Sequence, residues 1–143
     1  MMPAERSAGL VIFRNVNQAI QFLMLQSSCR GHHWTPPKGH VEKGEPDFVA
    51  ALRETKEEAG LSEDDLEIYR DVSKVLNYKV EGNTKGVVYW LAKLKNPETK
   101  VILSDESQDL KWLPLKEAQD ISGFDDMKQL LLEFNEKATV LSS

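Results

Sequence analysis

Three glutamates, Glu54, Glu57 and Glu58, stand at i, i+3 and i+4, directly after Arg53. On a helix that spacing puts them on one face. There they repel one another, at roughly 0.2–0.5 kcal/mol per pair. A segment selected for stability alone would alternate their charge with lysines. Carboxylate clusters of this kind suit hard divalent cations, Mg²⁺ or else Mn²⁺. A bound cation would offset the repulsion and draw in phosphate oxygens at the same time. Arg53, four residues before Glu57, can hold that carboxylate in place. For the run RETKEE by itself, a solvated acidic helix face is an equally good reading. The surrounding frame argues against it: Gly39, then Glu45 six positions on, and Gly60 followed by Leu61 at the far end.

These groups need a helix to carry them. Pro46 stands where a helix can begin, at the first position, which tolerates a missing N–H. Gly60 stands where one ends. Most residues between them are good helix formers, so the sequence predicts a helix over 46–59. Phe48, Leu52, Thr55 and Ala59 recur at helical spacing as its buried stripe. Upstream, residues 8–14 (AGLVIFR) and 20–26 (IQFLMLQ) read as strands joined by a turn. Residues 28–38 (SCRGHHWTPPK) read as a loop that the double proline keeps from either regular state. Downstream, strands are expected at 66–70, 72–80, 86–94 and 109–113, with EGNTK as the turn before the third of these. A short helix is expected at 115–121 and a longer one at 125–137, with Met127, Leu130, Leu131 and Phe134 as its apolar stripe. Strands interleaved with one mid-chain helix and a helical end indicate a mixed α/β architecture.

With 143 residues, 41% of them hydrophobic and 29% charged, the chain fits a single globular domain over 1–143 with one sizeable core. A net charge of −5 argues against a general nucleic-acid binder, which needs an excess of cations for the phosphate backbone. An acidic protein acting on an anionic substrate must rely on metal ions and a few placed cations. One cysteine, Cys29, excludes an intrachain disulfide and suits a reducing compartment. It has no second ligand at zinc spacing and reads as incidental. The longest apolar run near the start, GLVIF, is too short for a signal core or a membrane span. The expectation is a monomeric cytoplasmic protein, with nuclear access by diffusion, that engages neither membrane nor nucleic acid.

The segment GHVEKGEPDFVAALRETKEEAGL at 39–61 resembles the Nudix box, G-x5-E-x7-R-E-U-x-E-E-x-G-U with U a bulky aliphatic residue. Every fixed position matches except the first U, which is Thr55. The resemblance implies a Nudix-type α/β/α sandwich around a mixed sheet, with the box as a loop–helix–loop. HHWTPPKGHVEKGE, YWLAKL at 89–94 and LSDESQDLKWL at 103–113 narrow it to the animal-type asymmetrical diadenosine tetraphosphate hydrolases. That group carries the same threonine and cleaves its substrate to ATP and AMP with a divalent metal. The implied metal ligands are Glu54, Glu57, Glu58 and Glu106, with the Gly39 carbonyl. The implied catalytic set is Glu58, Glu54, Glu57, Arg53 and Glu106, with Glu58 as base and Glu106 its rival. Where the group commonly reads SHEHQ, this chain has Asp105 and Ser107 on either side of Glu106, so an additional carboxylate stands beside it.

The implied substrate-binding residues are His33, Lys38, Tyr78, Lys85 and Tyr89. His33 and Lys38 flank a rigid WTPP segment and can reach one phosphate chain. Lys85 is expected in a hairpin turn. Tyr78 and Tyr89 could stack on adenine, although strand tyrosines more often pack in a core. Glu45 is expected to orient the box. The alternatives are a Nudix hydrolase of inositol pyrophosphates, damaged dNTPs or capped RNA, or a catalytically silent nucleotide-sensing module. Substrate choice would then rest on HHWTPPK and the tyrosines.

Overall fold

A computed structural model describes residues 5–28, 31–80 and 82–142, with side chains described for all of these except residues 5, 78–80 and 83. Cys29 and the side chain of Tyr78 therefore lie outside the described residues. Strands β1 (Glu5–Val16), β2 (Ala19–Ser27), β3 (Trp34–Thr35), β4 (Lys38–His40), β5 (Leu66–Val80), β6 (Asn83–Leu94) and β7 (Ser107–Leu113) form one sheet. Helices α1 (Asp47–Ala59), α2 (Leu115–Ser122) and α3 (Asp125–Ser142) cover it. The path runs β3-β2-β1-β6-β5, with β4 on β1 and β7 on β2. Among the described residues only β1 and β6 run parallel; the other pairs are antiparallel, so the sheet is mixed as expected.

Alternation along the strands sends apolar side chains to both faces. Ala8, Leu10, Ile12, Leu23, Leu25, Ala92 and Leu94 meet Ala50, Ala51 and Ala59 of α1 on one face. Val11, Phe13, Phe22, Met24, Leu76, Tyr89 and Leu91 meet Ala118, Met127, Leu130, Leu131, Phe134 and Ala138 of α2 and α3 on the other. Each large side chain buried this way contributes about 1.5–3 kcal/mol. The result is an α/β/α sandwich. No helix among the described residues is long and apolar enough to cross a membrane.

One edge of β1 is shared, and this creates the site. Residues 13–16 pair with β2, while residues 7–9 pair with β4. The two strands of the first hairpin thus fork apart. The fork is filled by β4 on β1 and β3 on β2, with the buried Pro36 and Pro37 between them. The loop expected over 28–38 is therefore partly strand. The prolines, lacking N–H groups, only mark the break between its two short pieces.

Two further expectations need correcting. The strands expected at 66–70 and 72–80 are one strand, β5, with a bulge between Tyr69 and Ser73. Lys85 lies in no turn: pairing continues outward through Tyr78 to Lys85 and Val80 to Asn83, so Lys85 sits within β6. α1 begins at Asp47, with Pro46 as its cap residue, and ends at Gly60 in the left-handed conformation, φ 70°. Its most buried line is Ala50, Ala51, Thr55 and Ala59, while Phe48 and Leu52 are only half-buried. Small residues let the helix lie close to the sheet.

Candidate active site

The helix face turned toward β4 carries Glu54 and Glu58. The Glu58 carboxylate accepts the Lys38 backbone N–H at 3.0 Å. Glu54 packs against Gly39, where a Cβ would fall on its carboxylate group. Box glycine and box glutamate therefore fit together as surface and filler. Glu57 points outward, with its side chain 58% exposed against 12% for Glu54. One Arg53 nitrogen contacts both Glu54 and Glu57, while Glu58 turns to the Lys38 amide. Among the described residues no three His, Cys, Asp or Glu side chains converge tightly enough to close a metal site alone.

Arg53 is the hub of the box. Its guanidinium grips Glu45 through two bonds, of 2.8 and 3.0 Å. It also donates to Glu54 at 2.9 Å and to the His40 carbonyl at 2.9 Å. Glu57, expected as its main partner, is only a weaker contact at 3.3 Å. The stronger geometry is the bidentate pair. Glu45 also accepts the Glu42 N–H at 3.0 Å, so it joins the loop before α1 to the helix. Its carboxyl is held down to about 2, first by the hydrogen bond from Arg53 and then by that backbone donor. The Arg53 pKa is raised, chiefly by its hydrogen bond to Glu45.

Glu54 and Glu58 shift the other way. Burial is the leading cause for both, and the nearby charge of Glu106 adds to it. The Glu58 carboxyl is pushed up to about 7, with Glu54 contributing and the Lys38 amide opposing. Glu106 is exposed, but its influence on both places it within electrostatic reach of the box. Its loop is tied down. The Ile102 N–H donates to the Ala59 carbonyl at the end of α1 (2.9 Å), and the Ser28 N–H donates to the Glu106 carbonyl (2.8 Å). Glu106 N–H donates to Ser104 Oγ at 3.3 Å.

The remaining candidates separate. His33 is exposed and its ring lies 5.5 Å from that of Phe124. Lys85 is half-buried and faces Tyr78 on β5 and Glu5 on β1. By alternation it shares the sheet face of Val87 and Tyr89. Tyr89 itself is 0% exposed within the core under α2 and α3, so it presents no ring face to a ligand. The stacking role expected for it is corrected on that ground. Phe124, 49% exposed beside His33, is the aromatic that sequence reasoning passed over. Its signal was faint: one apolar residue after Gly123 in the gap between two expected helices.

Known proteins carry the same pattern. The NUDIX domain family matches residues 3–134. The chain is 48% identical to a bis(5'-nucleosyl)-tetraphosphatase (asymmetrical) of Caenorhabditis elegans, over 91% of this chain and 94% of that protein. It is 49% identical to the enzyme of that name from Sus scrofa, over 91% and 92%. A crystal structure of a C. elegans Ap4A hydrolase binary complex superposes with a TM-score of 0.91 at 47% identity, covering 94% of this chain and 98% of that one. Together with the box geometry, the match over residues 3–134 establishes that this chain belongs to the Nudix family.

Proposed function

We propose that this chain, as one Nudix domain, hydrolyses diadenosine tetraphosphate asymmetrically to ATP and AMP, with a divalent cation, Mg²⁺ foremost, as cofactor. The single observation carrying the reading is the pair Glu54 and Glu58. Both are turned inward and held up by burial, and they sit against a glycine and a backbone amide. An anionic pair placed this way destabilises the chain unless something positive joins it. Its donors are all oxygen, so the residues fit a hard cation. Glu54, Glu58, Glu57 and Glu106 would hold it, with the Gly39 carbonyl, and water and phosphate oxygens would complete the coordination. Such an ion supplies Lewis acidity to phosphoryl oxygens and acidifies a water in its shell.

The chain's own groups do the rest. Glu58, turned inward onto the Lys38 amide, is placed to take a proton from the attacking water, and Glu106 is the rival base. Arg53 and Glu45 fix the helix and its carboxylates against the preceding loop, so their role is positioning. Lys38, His33 and Lys85 stabilise charge on the polyphosphate. Phe124, exposed beside His33, replaces Tyr89 as an adenine platform. The enzyme works as a cytoplasmic monomer with a small-molecule substrate, in keeping with its acidic charge and single cysteine.

The test is to incubate the purified protein with diadenosine tetraphosphate and Mg²⁺ and to separate the products by anion exchange. Equal ATP and AMP are expected. Two ADP, or no product from folded protein, would refute the reading.

A further inference from the structure

Gly9 lies outside the box, in the middle of β1, and none of the chemistry above uses it. Its φ is not positive, so its dihedral angles do not demand glycine. Its surroundings do. One edge pairs with Tyr89 of β6 and the other with Lys38 of β4. A Cβ on Gly9 would strike the Pro37 carbonyl oxygen and come within 2.6 Å of Lys38 Cβ and 2.9 Å of its Cα. These obstacles are backbone and the root of a side chain, so no flexible tip can swing away. Any side chain at position 9 must push the segment of Pro37 and Lys38 off β1.

That segment is held in place from both sides. The Pro37 carbonyl accepts the Leu10 N–H at 3.2 Å, and the next amide, that of Lys38, reaches Glu58 at 3.0 Å. The shift that a Cβ on Gly9 forces at Pro37 therefore arrives directly at the donor that holds Glu58. We propose that Gly9 is a positioning residue for the hydrolytic site: its missing side chain lets β4 settle against β1 and so keeps the Lys38 amide on Glu58. The inference rests on the reading of Glu58 as a working carboxylate, and it explains why an unreactive residue far from the box in sequence governs that carboxylate.

The first readout needs neither metal nor substrate. In metal-free protein labelled with ¹⁵N, the Lys38 amide proton should resonate downfield and be protected from exchange, and Glu58→Gln should move it. Gly9→Ala should abolish both features in a folded protein. It should also lower kcat by about tenfold to a hundredfold, the effect of one charge-assisted hydrogen bond, with KM little changed. A folded Gly9→Ala protein with an unaltered Lys38 amide and unaltered kcat would overturn the proposal. Should Gly9→Ala fail to fold, Lys38→Pro and Lys38→Ala decide, since both lose the ammonium and only the first loses the amide donor. Lys38→Pro should be slower by the same factor, and equal rates would overturn the proposal. Failure of wild-type protein to cleave diadenosine tetraphosphate would refute the proposed function separately, because the amide readout does not depend on it.

Discussion

Glu58→Gln should make the metal-free protein more stable while it disables the enzyme. The Glu58 carboxyl is pushed up to about 7, chiefly by burial. Below the ordinary value near 4.5, folded and unfolded chains both hold the proton and the residue adds no pH dependence. Between about 4.5 and about 7 the unfolded chain has released it while the folded chain retains it. The unfolded state then binds fewer protons, so stability falls as pH rises, and it levels off above 7. At about 1.36 kcal/mol per unit, a shift from 4.5 to about 7 amounts to about 3 kcal/mol. Glutamine keeps an oxygen for the Lys38 N–H and removes the ionisation. Metal-free Glu58→Gln should therefore melt on the order of 10 °C above wild type at pH 8 and close to it at pH 4.5. Mg²⁺ should reverse the order. At one thousand times its Kd it stabilises wild type by about 4.1 kcal/mol, more than the burial term, and it should do little for the variant, whose turnover falls by orders of magnitude. Calorimetric scans from pH 4.5 to 8, with Mg²⁺ and with chelator, read this directly. A wild-type Tm that tracks the variant's at every pH would refute the burial argument, and equal turnover would refute the role.

Other positions separate positioning from packing. Arg53→Lys breaks the bidentate hold on Glu45 and should lower kcat by about tenfold to a hundredfold with KM nearly unchanged, by steady-state kinetics. Because Glu45 is held down to about 2, its contribution to stability is present above about pH 4.5 and is lost as pH falls toward 2; acid melts of Glu45→Gln should lack that transition. Gly39→Ala places a methyl on the Glu54 carboxylate and should weaken Mg²⁺ binding in titration calorimetry. Tyr89→Ala, at 0% exposure, should cost about 3–5 kcal/mol in denaturant melts, while Phe124→Ala should leave stability within about 1 kcal/mol and raise KM.

The box was legible because its constraints are local. Pro46, Gly60 and the helical spacing of Glu54, Glu57 and Glu58 fix the carboxylates relative to one another, and every term lies within one helix. The partner of Arg53 was harder. The i, i+4 rule pointed to Glu57, but Glu45, eight residues back, offers both oxygens because the loop folds it onto the helix. Tyr89 failed for another reason. A tyrosine on a strand reads alike whether its face is covered or open, and only the seating of α3 decides. Lys85 was misplaced because Gly82 turns the hairpin more tightly than EGNTK suggested, at φ 82°.

The fork in the sheet was not legible at all, and the site depends on it. Two buried prolines in a polar segment say loop, because a proline cannot join a ladder from its nitrogen. Here they stand between two short strands that each join a different arm of the fork. That arrangement needs β1 to change partners midway along one edge, from β4 to β2, which no local pattern encodes. It also needs a gap on β1 where Pro37 can approach, and that gap is Gly9. The box supplies the charges and the fork supplies the wall they lean on. Glu54 is shaped by Gly39 and Glu58 is held by the Lys38 amide, both on β4. A box grafted onto a hairpin without the fork would keep its helix and its carboxylates, yet lack the contacts that turn two of them inward.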